Sequence, residues 1–415
     1  MDKLENIGRL ARSSSRILEK ASSENKNKAL VAAASLLEEK NAIILNANQL
    51  DIESAKNMGI QGAMLERLEL SDYKIQLMAD GLRSLSKLDD PIGKISWLKT
   101  QPNGLKIGQK RVPLGVIGMI YESRPNVTVD VFGLCLKTSN SVILRGGKEA
   151  IESNKAIVSI LKEALKNSDL PSDVLQLIED TSRESAFALM RLNKYLDVLI
   201  PRGGNALIQS VIENSTVPVI ETGVGNCHIY VDENADQEMA ISILINAKTQ
   251  RPGVCNAAES LLIHESIAHE FLPKVGKKLN EHKVEIRGDT LVCQILPFAK
   301  KAKDEDWGQE YLDLIISVKI VKSIDDAILH INQYGTRHSE AIITNDNDHA
   351  QKFLEEIDAA AVYVNASTRF TDGYEFGFGA EMGISTQKLH ARGPMGLKEL
   401  TTIKYIIYGK GQIRL

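Results

Sequence analysis

From residue 115 onward, short unbroken apolar runs alternate with helix-like segments, and this alternation restricts the fold more than any other feature of the 415-residue chain. Runs at 115–120, 141–144, 174–178, 197–200 and 217–220 each have the length of one strand. Segments such as 127–136 and 150–166 between them keep helical spacing. Strands apolar on both faces must be covered on both, so the pattern predicts an open parallel sheet flanked by helices. After Gly223-Val224-Gly225 the alternation resumes, with strands expected at 227–231, 260–263, 314–321, 341–343 and 362–365. Helices near Gln237, Ile267, Ile324 and Asp348 separate them. The chain reads as α/β, with two open-sheet domains meeting near 222–226.

What precedes this alternation is of another kind. Residues 1–88 repeat apolar side chains at helical spacing, from Leu4, Ile7 and Leu10 to Ile75, Met78, Leu82 and Leu85, and Asp90-Pro91 closes the block. Pro102-Asn103-Gly104 then marks a turn between strands expected at 95–98 and 105–107. That hairpin is either a protruding arm or a plain surface excursion. The alternating Ile403, Tyr405 and Ile407 within 402–415 suggest an edge strand, pairing with the hairpin or with another subunit.

Composition excludes several functions. A net charge of -4 and 5% aromatic residues give neither a basic surface nor a stacking platform for nucleic acid. Cys135, Cys227, Cys255 and Cys293 are scattered without metal-ligand or disulfide spacing, so no metal site is expected and a reducing, cytoplasmic setting fits. The first twenty residues are charged and amphipathic rather than a signal sequence, and no apolar stretch has the length of a membrane span.

The chemistry-bearing stretch is Thr249 to Ser260. A helix-like run at 237–247 leads in and an apolar strand at 261–263 leads out. Between them Pro252-Gly253 forces a turn that presents Cys255. Residues 256–260 are small and open to a helical reading, which would place the thiol at a helix N-terminus and favour thiolate. Lys248 and Arg251 add nearby positive charge. Against this stands the ordinary reading of a free cysteine as a buried, inert apolar residue. Asn126, in a loop after a strand, is suited to donate to an oxyanion; Glu221, at a strand end, is suited to act as a base; Lys148 follows a Gly-Gly turn that opens a helix. Each of these residue types also serves as a cap or a solvated charge.

In order along the chain, Pro125-Asn126, residues 144–148, Glu221-Thr222-Gly223, the Gly253-Val254-Cys255 turn and Glu310 resemble the aldehyde dehydrogenase superfamily. Longer words narrow the resemblance: Val112-Pro113-Leu114-Gly115-Val116-Ile117-Gly118, Tyr121-Glu122-Ser123-Arg124-Pro125-Asn126-Val127-Thr128, Gln250-Arg251-Pro252-Gly253-Val254-Cys255-Asn256-Ala257 and Arg392-Gly393-Pro394-Met395-Gly396-Leu397. With the segment 362–373, these are similar to the gamma-glutamyl phosphate reductase (glutamate-5-semialdehyde dehydrogenase) branch of that superfamily.

The resemblance implies an aldehyde-dehydrogenase-like fold: two Rossmann-type open-sheet domains and a small β-hairpin oligomerisation arm. On that division residues 1–94 and 113–224 form the NADP-binding domain, 225–393 the catalytic domain carrying Cys255, and 95–112 with 394–415 the arm. The implied reaction is NADPH-dependent reduction of L-glutamyl 5-phosphate to L-glutamate 5-semialdehyde and phosphate, through a thioester on Cys255, in proline biosynthesis. Asn126 and the Cys255 N–H are the implied oxyanion hole. Glu310 is the implied nicotinamide-ribose ligand and Lys148 the adenosine-ribose or phosphate contact, with Arg145, Gly203 and Gly204 completing the expected cofactor contacts. Arg124, Arg251, Arg369 and Arg392 are candidates for the substrate's carboxylate or phosphate, since guanidinium binds either bidentately. A homo-oligomer, dimer or tetramer, is expected, and glutamate 5-kinase is a candidate partner for which no docking surface is legible.

Two departures from the family pattern bear on these roles. An acyl-phosphate reductase gains nothing by hydrolysing its thioester, so Glu221 stands between a residual role and a structural one. The usual glycine-rich cofactor loop is replaced by Pro201-Arg202-Gly203-Gly204-Asn205. Three other functions compete with this one: a water-dependent aldehyde dehydrogenase using Glu221, a cysteine hydrolase or acyltransferase needing no nicotinamide, and an inactive homologue. His228, opening an apolar strand, reads as structural.

Overall fold

In the computed structural model, which describes residues 2–414, the chain divides into two compact units. The first takes the chain as far as Glu221 and recovers Gly377–Gly383 and the stretch from Met395 onward. The second is Thr222–Phe376 with Ile384–Pro394. Residues 1 and 415, included in the expected divisions, lie outside the described residues.

The first unit opens with helices Asp2–Leu18, Ser23–Glu39, Asn41–Asn57, Ala63–Leu68 and Asp72–Lys87. Ser22 and Ser71 start two of them by accepting the N–H groups of Asn25 and Lys74. The block is tied by Lys26 to the end of helix Pro125–Lys137 and the loop that follows it. This fully buried ammonium pairs with Asp90 at 2.6 Å and donates to the Lys137 carbonyl and the Ser139 hydroxyl. Burying a lysine demands such a set of partners.

Strands β1 (Ile95–Thr100) and β2 (Lys106–Pro113) form the expected hairpin, its turn closed by Gly104 at φ +86°. Then come β3 (Val116–Tyr121), β4 (Ser141–Gly146), β5 (Leu175–Leu177) and β6 (Val198–Arg202), parallel and ordered β5-β4-β3-β6. Every residue of β3 is buried, as expected of a central strand covered on both faces. The expected strand at 217–220 does not form. It is reduced to one bridge, Leu199 to Val219, because Pro218 has no N–H to give a ladder. The sheet reverses its order between β3 and β6, so its topological switch point lies beyond Tyr121 and Arg202.

The second unit is built on β7 (Cys227–Val231), β8 (Ala258–His264), β9 (Glu285–Gly288), β10 (Lys300–Lys301), β11 (Ile315–Val321), β12 (Ser339–Ile343) and β13 (Ala361–Val364). They form one parallel sheet, β10-β9-β11-β8-β7-β12-β13, over a core that includes Ile229, Leu261, Phe271, Val318 and Ile343. Strands β9 and β10 were not expected. Glu-Ile-Arg-Gly and Lys-Lys lack the apolar run that marks a central strand, and they lie at the sheet's edge. A two-stranded ladder, β14 (Ile384–Ser385) with β15 (Gly393–Pro394), completes this unit.

The chain ends with β16 (Thr401–Tyr408), which pairs antiparallel with β2 over its full length, Thr401 opposite Pro113 and Tyr408 opposite Lys106. The C-terminal strand thus extends the early hairpin into a three-stranded sheet, β1-β2-β16.

Candidate active site

In the second unit, helix Gln237–Thr249 ends and the chain turns through Pro252 to Ala257 before entering β8. The Ala257 N–H closes this turn on the Val254 carbonyl at 3.1 Å. Cys255 lies at its apex, half-buried, whereas Cys135 and Cys227 are buried. The thiol is not at a helix N-terminus. Residues from Ala258 on join β8, where Ala258 pairs with Cys227 of β7, and sheet pairing overrides the helical tendency of small residues. The turn stands at the amino edge of its sheet, opposite the edge where parallel sheets ordinarily hold ligands.

The turn is laid directly on the backbone of 225–227. The Cys227 thiol donates to the Cys255 carbonyl at 3.2 Å, and burial pushes that thiol's pKa well up, so it stays a donor. Beside it, a Cβ on Gly225 would fall 1.5 Å from the same carbonyl oxygen. Only glycine permits this approach. The Gly225 N–H in turn donates to Glu310 Oε1 at 2.7 Å, which brings Glu310 to the strand beneath the turn.

Lys248 does not supply the free positive charge expected of it. Its ammonium lies 2.5 Å from Glu259 Oε2, and both side chains are fully buried. Burial lowers the lysine's pKa and raises the glutamate's, each resisted by the other's charge. Glu259 Oε1 also accepts the Leu312 N–H at 3.1 Å. The sequence carries a signal of the pair: a glutamate leading into the apolar run 261–263 of a buried strand calls for a buried cation.

Of the four candidate arginines, three are in this unit. Arg369 reaches the turn that carries Cys255, donating to Asn256 and Gln250, and its charge interacts with Cys255. Arg251 is exposed on the turn itself. Arg392 is held elsewhere, in a cluster in which Asp358 receives Arg392 at 2.7 Å, Lys388 at 2.9 Å and Arg337 at 3.6 Å. His228 is fully buried, with its N–H and Nδ1 both against Glu340 Oε2, at 2.6 and 3.1 Å.

The first unit carries the remaining candidates. Asn126 is not in a loop but in the first turn of helix Pro125–Lys137, which starts two residues early because Pro125 suits the first helical position. Arg124 is that helix's N-cap. The Asn126 amide donates to Asp130 Oδ2 at 3.0 Å, and burial pushes the Asp130 carboxyl up to about 6 against the opposing charge of Arg202. Arg145, half-buried at the end of β4, donates to the carbonyls of Thr181 and Ser182, while Lys148 beyond it is exposed. Gly203 and Gly204 lead from β6 into helix Asn205–Asn214 at the switch point. There the Gly204 N–H donates to Glu122 Oε2 at 3.0 Å, a contact the sequence did not announce. Glu221 is half-buried just after the Leu199–Val219 bridge.

The family model described as aldehyde dehydrogenase family matches residues 2–310 and 301–406. The chain belongs to that family. Within it, a gamma-glutamyl phosphate reductase of Clostridium botulinum is 62% identical over 407 residues, covering 98% of each chain. One of Carboxydothermus hydrogenoformans is 59% identical over 414 residues, covering both chains fully. The crystal structure of gamma-glutamyl phosphate reductase from Thermotoga maritima superposes with a TM-score of 0.96 at 50% identity, over 99% of each chain. An acetylating aldehyde dehydrogenase from Geobacillus thermoglucosidasius shares the fold, with a TM-score of 0.73 at 18% identity. The aldehyde-dehydrogenase-like α/β architecture expected from the sequence is therefore the architecture of the chain.

Proposed function

We propose that this chain reduces L-glutamyl 5-phosphate to L-glutamate 5-semialdehyde with release of phosphate, drawing hydride from NADPH, as a step toward proline. The observation that carries the reading is identity of about three residues in five, over essentially the whole chain, to relatives named for this reaction. A half-buried thiol on a rigid turn gives the chemistry its starting group.

On this reading the Cys255 thiolate attacks the acyl carbon. The carbon–oxygen bond to phosphate breaks, phosphate leaves with the electron pair, and a thioester remains. Phosphate departs readily, so the step needs a thiolate and an oxyanion donor more than an acid. By the family resemblance the Asn126 amide, with the Cys255 N–H, donates to that oxyanion. Asn126 Nδ2 spends one hydrogen on Asp130 and keeps a second for this purpose. Among the candidate arginines, Arg369 and Arg251 stand at the turn and are the proposed ligands of the substrate's anionic groups, with Arg124 and Arg392 in lesser roles.

The family uses a nicotinamide cofactor, and the first unit's donor set suits an anionic one. Arg145, Lys148 and the Gly203-Gly204 turn at a helix N-terminus all stand at the carboxyl edge of β3, β4 and β6. When bound, the cofactor supplies the hydride that converts the thioester to the thiohemiacetal, which collapses to aldehyde. Glu310, fixed by the Gly225 N–H, is its proposed nicotinamide-ribose ligand. Glu221 is given no obligatory step. The β1-β2-β16 sheet, with Leu98, Ile403, Tyr405 and Ile407 exposed, is the proposed contact for a homo-oligomer.

The test is the reverse reaction: NADPH formation from glutamate 5-semialdehyde and NADP, with and without inorganic phosphate. Strict phosphate dependence is the expected result. Turnover without phosphate would mean that water resolves the thioester, restoring Glu221 as base and the ordinary aldehyde dehydrogenase reading.

A further inference from the structure

We infer that Gln250 and Asn256 are positioning residues: from either side of the nucleophile turn they hold the Arg369 guanidinium with its charge intact, so that Arg369 keeps Cys255 in the thiolate form. The inference rests on the reading of Cys255 as nucleophile and adds the device that prepares it.

Gln250 stands just beyond the helix leading into the turn, and Asn256 directly follows Cys255. Arg369 comes from the short helical segment Thr368–Phe370, more than a hundred residues away. Its Nε donates to Gln250 Oε1 at 3.1 Å and its Nη1 donates to Asn256 Oδ1. One guanidinium thus spans the turn that carries the thiol.

The Asn256 end of this clamp is rigid. Asn256 Nδ2 donates to the Thr371 carbonyl at 2.9 Å and to the Arg369 carbonyl at 3.3 Å, while Thr368 Oγ1 donates to the Asn256 carbonyl at 2.8 Å. Asn256 is 5% exposed, so these bonds are sheltered from water. The Gln250 end is exposed and rests on the single bond from Nε.

The choice of acceptors matters most. Gln250 and Asn256 offer neutral amide oxygens, which orient a guanidinium without neutralising it. A carboxylate at either place would make an ion pair and cancel the field at the thiol. Burial, with the charge of Arg251, lowers the Arg369 pKa from its ordinary high value, and the charges of Cys255, Asp372 and Cys227 resist this. Burial keeps Cys227 a neutral thiol, and Asp372 Oδ1 already accepts the Tyr374 and Glu375 N–H groups. Cys255 is left as the anion that gains most from this guanidinium. Arginine stays protonated throughout the working range of pH, so the effect is always present.

The experiment is alkylation of Cys255 by iodoacetamide from pH 5 to 10, read by peptide mass spectrometry, on the wild type, Arg369→Met and Gln250→Glu. The wild type is expected to titrate below an ordinary thiol, whose pKa is about 8.5. Arg369→Met is expected to raise the midpoint by about one unit and slow labelling about tenfold at pH 7, since each unit changes the thiolate fraction tenfold. Gln250→Glu changes an exposed side chain, retains the acceptor and adds only charge. It is expected to shift the midpoint the same way, whereas a merely structural clamp would be unmoved or tightened. An unshifted midpoint in Gln250→Glu, or a wild-type midpoint at the ordinary value, overturns the inference. Labelling reports the thiol regardless of turnover, so this failure is distinct from a failure of the proposed reaction, which Cys255→Ala decides.

Discussion

The Lys248 ammonium and the Glu259 carboxylate face each other at 2.5 Å beneath the turn that carries Cys255, and neither has any exposed surface. Lys248 is at the end of the helix that enters the turn and Glu259 is in the strand that leaves it, so the pair closes the base of the loop carrying Cys255. Removing one partner strands the other's charge without water. We expect Lys248→Met or Glu259→Gln alone to cost about 3–5 kcal/mol, the usual penalty for half of a buried pair. The double variant should recover much of the loss. Thermal and urea unfolding of the three variants check this, and equal stability of a single variant and the wild type would contradict it.

Cys255→Ala is expected to abolish turnover while nucleotide binding persists. The thioester needs a sulfur nucleophile, and the proposed cofactor residues Arg145, Lys148, Gly203 and Gly204 belong to the first compact unit. Isothermal titration with NADPH and a single-turnover assay on the same preparation separate the two functions. Retained turnover would end the covalent mechanism.

The chain's plan was legible where burial is two-sided. β3, β4, β7, β8 and β12 are buried along nearly their whole length and each contains an apolar run, which places it within about two residues. Edge elements were not legible: β9 and β10 carry charge because one side meets solvent, and Pro218 reduced an apolar run to a single bridge. At the site, Cys255 was marked by its Pro-Gly turn. The local conformation around it was misread because strand pairing with Cys227, 28 residues away, decides it. Separation in sequence also hid the clamp on Arg369, more than a hundred residues from the turn, whereas Lys248 is made half of an ion pair by Glu259, only 11 residues on.

Asn126→Ala should lower kcat by about a hundredfold or more with little change in cofactor affinity, as removal of one oxyanion donor typically does. Its loss also frees Asp130, so the structural contribution must be measured alongside by thermal unfolding. A large rise in the KM for substrate with kcat unchanged would make Asn126 a binding residue instead.

Asp130 gives a pH signature of its own. Its carboxyl is pushed up to about 6 by burial, with Arg202 and the Asn126 amide opposing, against about 3.9 in an unfolded chain. Between those values the folded chain keeps a proton that the unfolded chain has lost, so this group's contribution to stability falls as pH rises from about 4 to 6. Asp130→Asn keeps an acceptor for Asn126 and removes the titration. The difference in urea midpoint between variant and wild type should therefore move in the variant's favour from pH 4 to pH 7, and a pH-independent difference would contradict the assignment.

Gly225 offers the sharpest test of how rigidly the turn must sit. A Cβ there would fall 1.5 Å from the Cys255 carbonyl oxygen and 2.7 Å from its Cα, so the obstacle is backbone rather than a side chain that can swing away. Gly225→Ala must displace either the turn or the strand entrance at Cys227, whose thiol holds the same carbonyl. A shift of about an ångström in a nucleophile costs on the order of a hundredfold in rate. We expect the variant to fold, since β7 and β8 remain paired beyond the contact, but to lose at least that much activity. Far-UV circular dichroism and kcat/KM on one preparation check both halves. Wild-type activity in Gly225→Ala would mean that the turn accommodates a methyl group, and that its close seating on 225–227 is not what fixes the thiol for attack.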